Sequence, residues 1–126
     1  MDCKLELVAL PVADVDRAIA FYVGQLGWNL DHDVVVSDEI RFVQVTPPGS
    51  ACSIAIGTGL IVGEQGPIRT LQVVVPDIEA AHADLQSSGV TVSPIDDQPW
   101  GSFVYFEDPD ANAWAVQQTI PRTAPG

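Results

Sequence analysis

The stretch Val12-Ala13-Asp14-Val15-Asp16-Arg17-Ala18-Ile19-Ala20-Phe21-Tyr22-Val23-Gly24-Gln25-Leu26 is written a second time, in degenerate form, from Val75 to Ser88. Asp14 answers to Asp77, Val15 to Ile78, Asp16 to Glu79, Ala18 to Ala81 and Ala20 to Ala83, all at a separation of 63 residues, half of the 126-residue chain. A repeat of this kind means that one supersecondary unit has been used twice, so the architecture is read per copy.

Each copy reads as a strand running into a helix. The apolar runs Leu7 to Val12 and Leu71 to Val75 lead to Asp14 and Asp77. A short carboxylate there accepts the free N–H groups of a helix's first turn and suits the positive end of the helix dipole. Beyond the caps, Val15, Ala18, Ile19 and Tyr22 fall at i, i+3, i+4 and i+7, and Ile78, Ala81, His82 and Leu85 repeat the spacing. Each helix therefore lays one apolar stripe on a sheet. Gly24 or Gly27, and Gly89, are the expected stops.

The remaining segments complete the two copies. In the first, a strand region runs from Gly27 to Leu30, breaks at Asp31-His32-Asp33 and resumes at Val34 to Val36; strands follow at Ile40 to Thr46 and Ala51 to Ile56, separated by turn residues. In the second, strands are expected near Arg69 to Val75, Val90 to Val92, Ser102 to Phe106 and Ala113 to Gln118, with a helix near Ile78 to Ser87 and a turn at Asp108-Pro109-Asp110-Ala111-Asn112. The expectation is an α+β fold: two β-α-β-β-β modules, residues 1–60 and 67–126, joined by a glycine-rich linker at 61–66, with eight strands curving around a cleft. The tail from Thr119 to Gly126, with two prolines, is expected to be poorly ordered.

Composition excludes several functions. A hydrophobic content of 47% and a mean hydropathy of +0.21 suit a packed core rather than disorder. No apolar run approaches the roughly 20 residues of a membrane helix, and Met1-Asp2-Cys3-Lys4-Leu5-Glu6 has no signal-peptide pattern. A cytoplasmic protein with no membrane partner is expected. Five Lys plus Arg against seventeen Asp plus Glu leave a net charge of −12, which repels phosphate backbones, so nucleic acid is not expected as a partner. Cys3 and Cys52 lack a Cys-x-x-Cys spacing and read as reduced core or strand residues.

The helix phrase Val12 to Tyr22 with Leu26-Gly27-Trp28, together with the turn Asp108-Pro109-Asp110-Ala111-Asn112-Ala113-Trp114, resembles the glyoxalase/bleomycin-resistance/dioxygenase group, the vicinal oxygen chelate superfamily. The resemblance spans nearly the whole chain. It implies the paired-module fold, a homodimer, and any of several activities, since this scaffold carries lyases, isomerases, dioxygenases, thiol transferases and non-catalytic drug-binding proteins. One departure is local: Ala111 stands where the family's turn usually has Gly.

The resemblance also implies where a divalent metal would be held, by His, Glu or Gln side chains from four strands. Carried over position by position, those places fall on Leu7, Ala55, Thr70 and Ala115. Three aliphatic side chains and one hydroxyl make no ligand set for a cation that needs imidazole, carboxylate or thiolate donors. Neither a metal nor another cofactor is therefore expected. A shift of two residues along a strand would bring Gln72 or Gln117 to these places, since such residues share a face, but two amides are a weak donor set. His82 lies on the helix stripe and His32 between two aspartates, and neither has a second histidine nearby.

What the sequence offers instead is apolar and aromatic. Trp100, flanked by Pro99 and Gly101, suits a ligand-facing loop, and Phe42, Phe103, Tyr105 and Trp28 add ring faces. Gln44, Gln72 and Gln117 are uncharged donors and acceptors on strands, able to orient a polar ligand. The reading is a protein that binds a small, partly aromatic molecule for drug sequestration or metabolite binding. The alternative is a lyase, isomerase or dioxygenase of the same group, either metal-independent or with non-standard ligands, whose catalytic residues the sequence leaves unassigned.

Overall fold

The computed structural model describes residues 1–63 and 65–119. The element order is β1 (Leu7–Ala9), α1 (Val15–Ile19) continuing as a π-helical segment (Ala20–Gln25), β2 (Asn29–Val35), β3 (Arg41–Thr46), β4 (Ser53–Ala55), β5 (Leu71–Val74), α2 (Ile78–Ser87), β6 (Asp96–Gln98), β7 (Gly101–Glu107) and β8 (Ala113–Thr119). The eight strands form two four-stranded sheets of equivalent order, β1-β4-β3-β2 and β5-β8-β7-β6. Within each, the outer pair β1–β4 or β5–β8 is parallel and the others are antiparallel. This is the α+β, twice-used β-α-β-β-β scheme that the repeat predicts. The described residues group into two compact units: residues 1–63 and 65–68 with the turn 108–112, and residues 69–107 with 113–119.

Both caps form where the repeat places them. The Asp14 carboxylate accepts from Arg17 N at 3.1 Å, and that of Asp77 accepts from Glu79 N and Ala80 N at 3.0 and 3.2 Å. The first helix departs from simple periodicity: Leu26 N donates to the Phe21 carbonyl, five residues back, at 3.0 Å. The extra residue in that turn lets Phe21 and Tyr22, adjacent in sequence, both be buried, at 6% and 0% exposure. The segment ends at Leu26, and Gly27 follows with φ 72°, so Gly27 rather than Gly24 is the stop. Gly89, φ 82°, follows the Ser88 cap of α2 as expected.

In the first unit, Val43, Val45 and Ile54 are buried on the side of the sheet that carries Arg41, whose guanidinium reaches Asp16 on α1 at 3.0 Å. The turn Asp108–Asn112 is built into this unit. Asp108 accepts from the Tyr22 hydroxyl at 2.6 Å, from Asp110 N and Asn112 N at 2.8 and 2.9 Å, and from Asn112 Nδ2 at 2.8 Å. Asn112, fully buried, also donates to the Pro11 carbonyl and accepts from Ile68 N. The turn on which the family resemblance rests is here a buried polar knot in which Asp108 and Asn112 are hydrogen-bonded, as burial requires, while Asp110 Oδ2 is buried without a hydrogen-bond partner. Asp110 adds a 2.8 Å ion pair with Arg17.

Four sequence readings are corrected. No strand forms at Val90 to Val92; Val90 is a buried loop residue after α2, and the strand is β6, Asp96–Gln98, too polar to show an apolar pattern. Asp31-His32-Asp33 does not break β2, which runs through it with a register shift between Leu30 and His32. Because every residue of β2 is exposed, there is no buried face to impose alternation. Cys3 is exposed rather than core, and Cys52 is half-buried; both are free thiols. Thr119 closes β8, while the rest of the tail, 120–126, lies outside the described residues.

Candidate functional site

Strand register decides which side chains meet, because residues two apart share a face and cross-strand partners share it too. In the second sheet Gln72 pairs with Ala115 and Ala115 with Tyr105, while Val74 pairs with Gln117, Gln117 with Phe103 and Phe103 with Asp96. These residues therefore make one face. The other face carries Val104, Phe106, Trp114, Val116 and Gln118, and Gln118 accepts from Ile78 N at the start of α2, so that face is the helix side. The face turned away from the helix is exposed in part: Gln72, Val74 and Tyr105 are exposed, Ala115 and Gln117 are half-buried, and Phe103 is buried.

On this open face the Phe103 and Tyr105 rings are stacked, centroids 6.0 Å apart and 3° between planes. Gln72 Nε2 donates to Gln117 Oε1 at 2.5 Å, and Gln117 Nε2 donates to the Trp100 carbonyl at 3.2 Å. Trp100 sits in the two-residue turn between β6 and β7 and is 59% exposed. The turn closes tightly because Gly101 has φ 149°, and a Cβ there would lie 2.6 Å from the Gln118 carbonyl and 2.9 Å from Gln117 Nε2. Glycine is thus what allows the Trp100 turn and the Gln117 amide to approach. Of the seven residues singled out in the sequence, Gln72, Phe103, Tyr105 and Gln117 share this face, and Trp100 meets it through its backbone carbonyl.

Asp96 was not anticipated. Its carboxylate lies 3.5 Å from the Tyr105 hydroxyl, at the outer limit of a hydrogen bond, and accepts from Gln98 Nε2 at 3.0 Å. Partial desolvation of the phenol, followed by the neighbouring Asp96 charge, raises the Tyr105 pKa above its ordinary value. Nothing in the sequence signals this pair, since it depends on the register of a strand that has no apolar pattern.

The other two residues, Phe42 and Gln44, lie on β3 in the first sheet, on the face opposite to the Arg41 side. Gln44 Nε2 donates to Ser53 Oγ at 3.0 Å, Ser53 and Thr46 share a 2.6 Å hydroxyl contact, and Thr46 bonds the Asp31 carboxylate. Phe42 lies near His32, ring centroids 6.5 Å apart. Trp28 is not a free ring face: it packs 5.4 Å from Tyr22 within the first unit. His82 is half-buried on α2.

The positions that the resemblance assigns to a metal carry unsuitable groups in the fold. Leu7 and Ala55 lie on β1 and β4, on the face that carries Gln44 and Ser53, and Ala115 lies between Gln72 and Tyr105. Thr70 directly precedes β5. One hydroxyl among three aliphatic side chains does not fit a divalent cation. Among the described residues no three His, Cys, Asp or Glu side chains group in a way that would hold one.

Residues 4–116 match the family model of the Glyoxalase/Bleomycin resistance protein/Dioxygenase superfamily, and the chain belongs to that superfamily. The fold is similar to that of TnmS3, described as an antibiotic binding protein from Streptomyces sp. CB03234, with a TM-score of 0.84 and 31% identity over 94% of this chain and 98% of that one. It is also similar to a glyoxalase/bleomycin resistance protein from the same organism, with a TM-score of 0.78 and 32% identity over 91% of this chain and all of the other. In sequence, a protein of Shewanella frigidimarina is 31% identical over 121 residues, covering 88% of this chain and 90% of its own length. Among the described residues no helix is long and apolar enough to cross a membrane.

Proposed function

We propose that this protein binds a small, partly aromatic molecule on the open face of its second sheet, without a metal, and serves to sequester or carry that molecule in the cytoplasm. The observation that carries the reading is the grouping of the Phe103–Tyr105 stack and the Gln72–Gln117 amide pair on one sheet face, beside the turn that carries the exposed Trp100. Rings supply apolar area and stacking, and the amides orient whatever polar groups the ligand carries. Ala115, in the row between Gln72 and Tyr105, leaves only a methyl group as the floor at the middle of this face. The likeness to an antibiotic binding protein of 31% identity supports binding rather than turnover, and an antibiotic is one ligand of the proposed kind. Phe42 and Gln44 offer the same combination of ring and amide on the first sheet.

The test is a thermal-shift screen of planar arenes on the full chain, followed by calorimetric titration of a hit. Removing an anchoring aromatic from a site costs about 2 kcal/mol or more, so Trp100→Ala is expected to weaken binding at least tenfold, and added chelator is expected to change nothing. Affinity unaltered by Trp100→Ala, or binding abolished by chelator and restored by a divalent metal, would contradict the reading.

A further inference from the structure

The amides on the open face of the second sheet are held in one orientation, and that orientation selects a ligand chemistry. The Trp100 backbone carbonyl can only accept, so the group that Gln117 presents to it at 3.2 Å is its Nε2–H. Gln117 therefore turns Oε1 the other way, towards Gln72, which must answer with its own Nε2 at 2.5 Å. The series is directional from its anchor outward, and it ends on a Gln72 side chain whose Oε1 makes no hydrogen bond among the described residues. Each amide keeps one further N–H, but the Gln72 carbonyl oxygen is the group with no protein partner at all.

The neighbouring polar groups are arranged in the same sense. Gln98 Nε2 donates to both carboxylate oxygens of Asp96, and the Tyr105 hydroxyl points at one of them. These groups bond one another, so of the side-chain acceptors on this face the Gln72 Oε1 is the one that no protein donor reaches among the described residues. The first sheet shows the same device independently. There the Asp31 carboxylate is the anchor: Thr46 donates to it, Ser53 to Thr46 and Gln44 Nε2 to Ser53, which leaves Gln44 Oε1 open.

Resting on the reading of this face as an arene site, we propose that its ligand is a hydroxyl- or amino-bearing aromatic that donates a hydrogen bond to Gln72 Oε1, and that Gln72 selects it over the O- or N-alkylated form. The spacing suits a fused two-ring or larger skeleton. Gln72 and Tyr105 lie two strands apart across Ala115, about 10 Å from backbone to backbone at the usual strand separation. A planar molecule lying over the Ala115 methyl therefore spans from the tyrosine ring to the amide.

The test uses a matched pair of probes, 2,7-dihydroxynaphthalene and 2,7-dimethoxynaphthalene, titrated calorimetrically against the full chain and its Gln72→Met and Gln72→Glu variants. One hydrogen bond at a partly exposed position is worth roughly three- to tenfold in affinity, so the wild type is expected to favour the diol by that factor. Gln72→Met should bring the two probes to equal affinity, by weakening the diol and sparing the diether. Gln72→Glu, which keeps an acceptor but loses the Nε2–H that bonds Gln117 Oε1, should still favour the diol over the diether, with lower affinity for both. Equal binding of both probes to the wild type, or a preference that survives Gln72→Met, would overturn the inference while leaving the arene site standing. Binding of neither probe would overturn both.

Discussion

Ala111 holds a backbone conformation that its own side chain disfavours. It sits at φ 65°, the one non-glycine residue described with positive φ, in the turn whose buried Asp108 and Asn112 are tied to Tyr22, Pro11 and Ile68. The turn is fixed by those bonds, so the residue at its fourth position has no choice of conformation, and the sequence departs there from the glycine its family usually carries. A left-handed alanine costs roughly 1–2 kcal/mol, while glycine returns about 0.4–1 kcal/mol of that as unfolded-chain entropy. Ala111→Gly is therefore expected to stabilise the protein by about 0.5–1 kcal/mol, read as a higher denaturant midpoint at unchanged slope. A lowered midpoint would mean that the alanine methyl contributes packing that outweighs the backbone strain.

At the scale of elements, the two helices show what local chemistry fixes and what it does not. Asp14 and Asp77 each accept N–H groups of their first turn, so Asp14→Ala and Asp77→Ala are each expected to lower stability by about 0.5–2 kcal/mol. Equilibrium denaturation of both variants checks this, and two unmoved midpoints would deny the capping role. Caps and stripes were legible because they need only neighbours in sequence. The π-helical turn was not, since burying both Phe21 and Tyr22 is a demand of the core they enter. The candidate face divides in the same way. Phe103 and Tyr105 can be placed on one side of a strand from their spacing of two, but the Gln72–Gln117 pair depends on the register of strands 45 residues apart, which no local pattern encodes. Asp96 lay out of reach for a related reason: its strand is recognised only through its pairing with β7.

The molecule as a whole carries a charge of −12, and β2, at an edge of the first sheet, exposes Leu30, Val34 and Val35 along a strand with no buried residue. An exposed apolar edge strand invites covering by another chain, and self-association into a twofold dimer is the commonest way to do it. Sedimentation is expected to give a species of about twice the 13.4 kDa chain mass, and a clean monomer at micromolar concentration would refute that expectation. On the other sheet, the helix-free face is the one proposed to take an aromatic ligand without a metal. Amide chemical-shift mapping tests it most directly, with the isotope-labelled full chain titrated with 2,7-dihydroxynaphthalene in the presence of chelator. The account predicts that the largest shifts fall on Gln72, Trp100, Phe103, Tyr105 and Gln117; shifts that fall elsewhere, or that appear only when a divalent metal replaces the chelator, would contradict it.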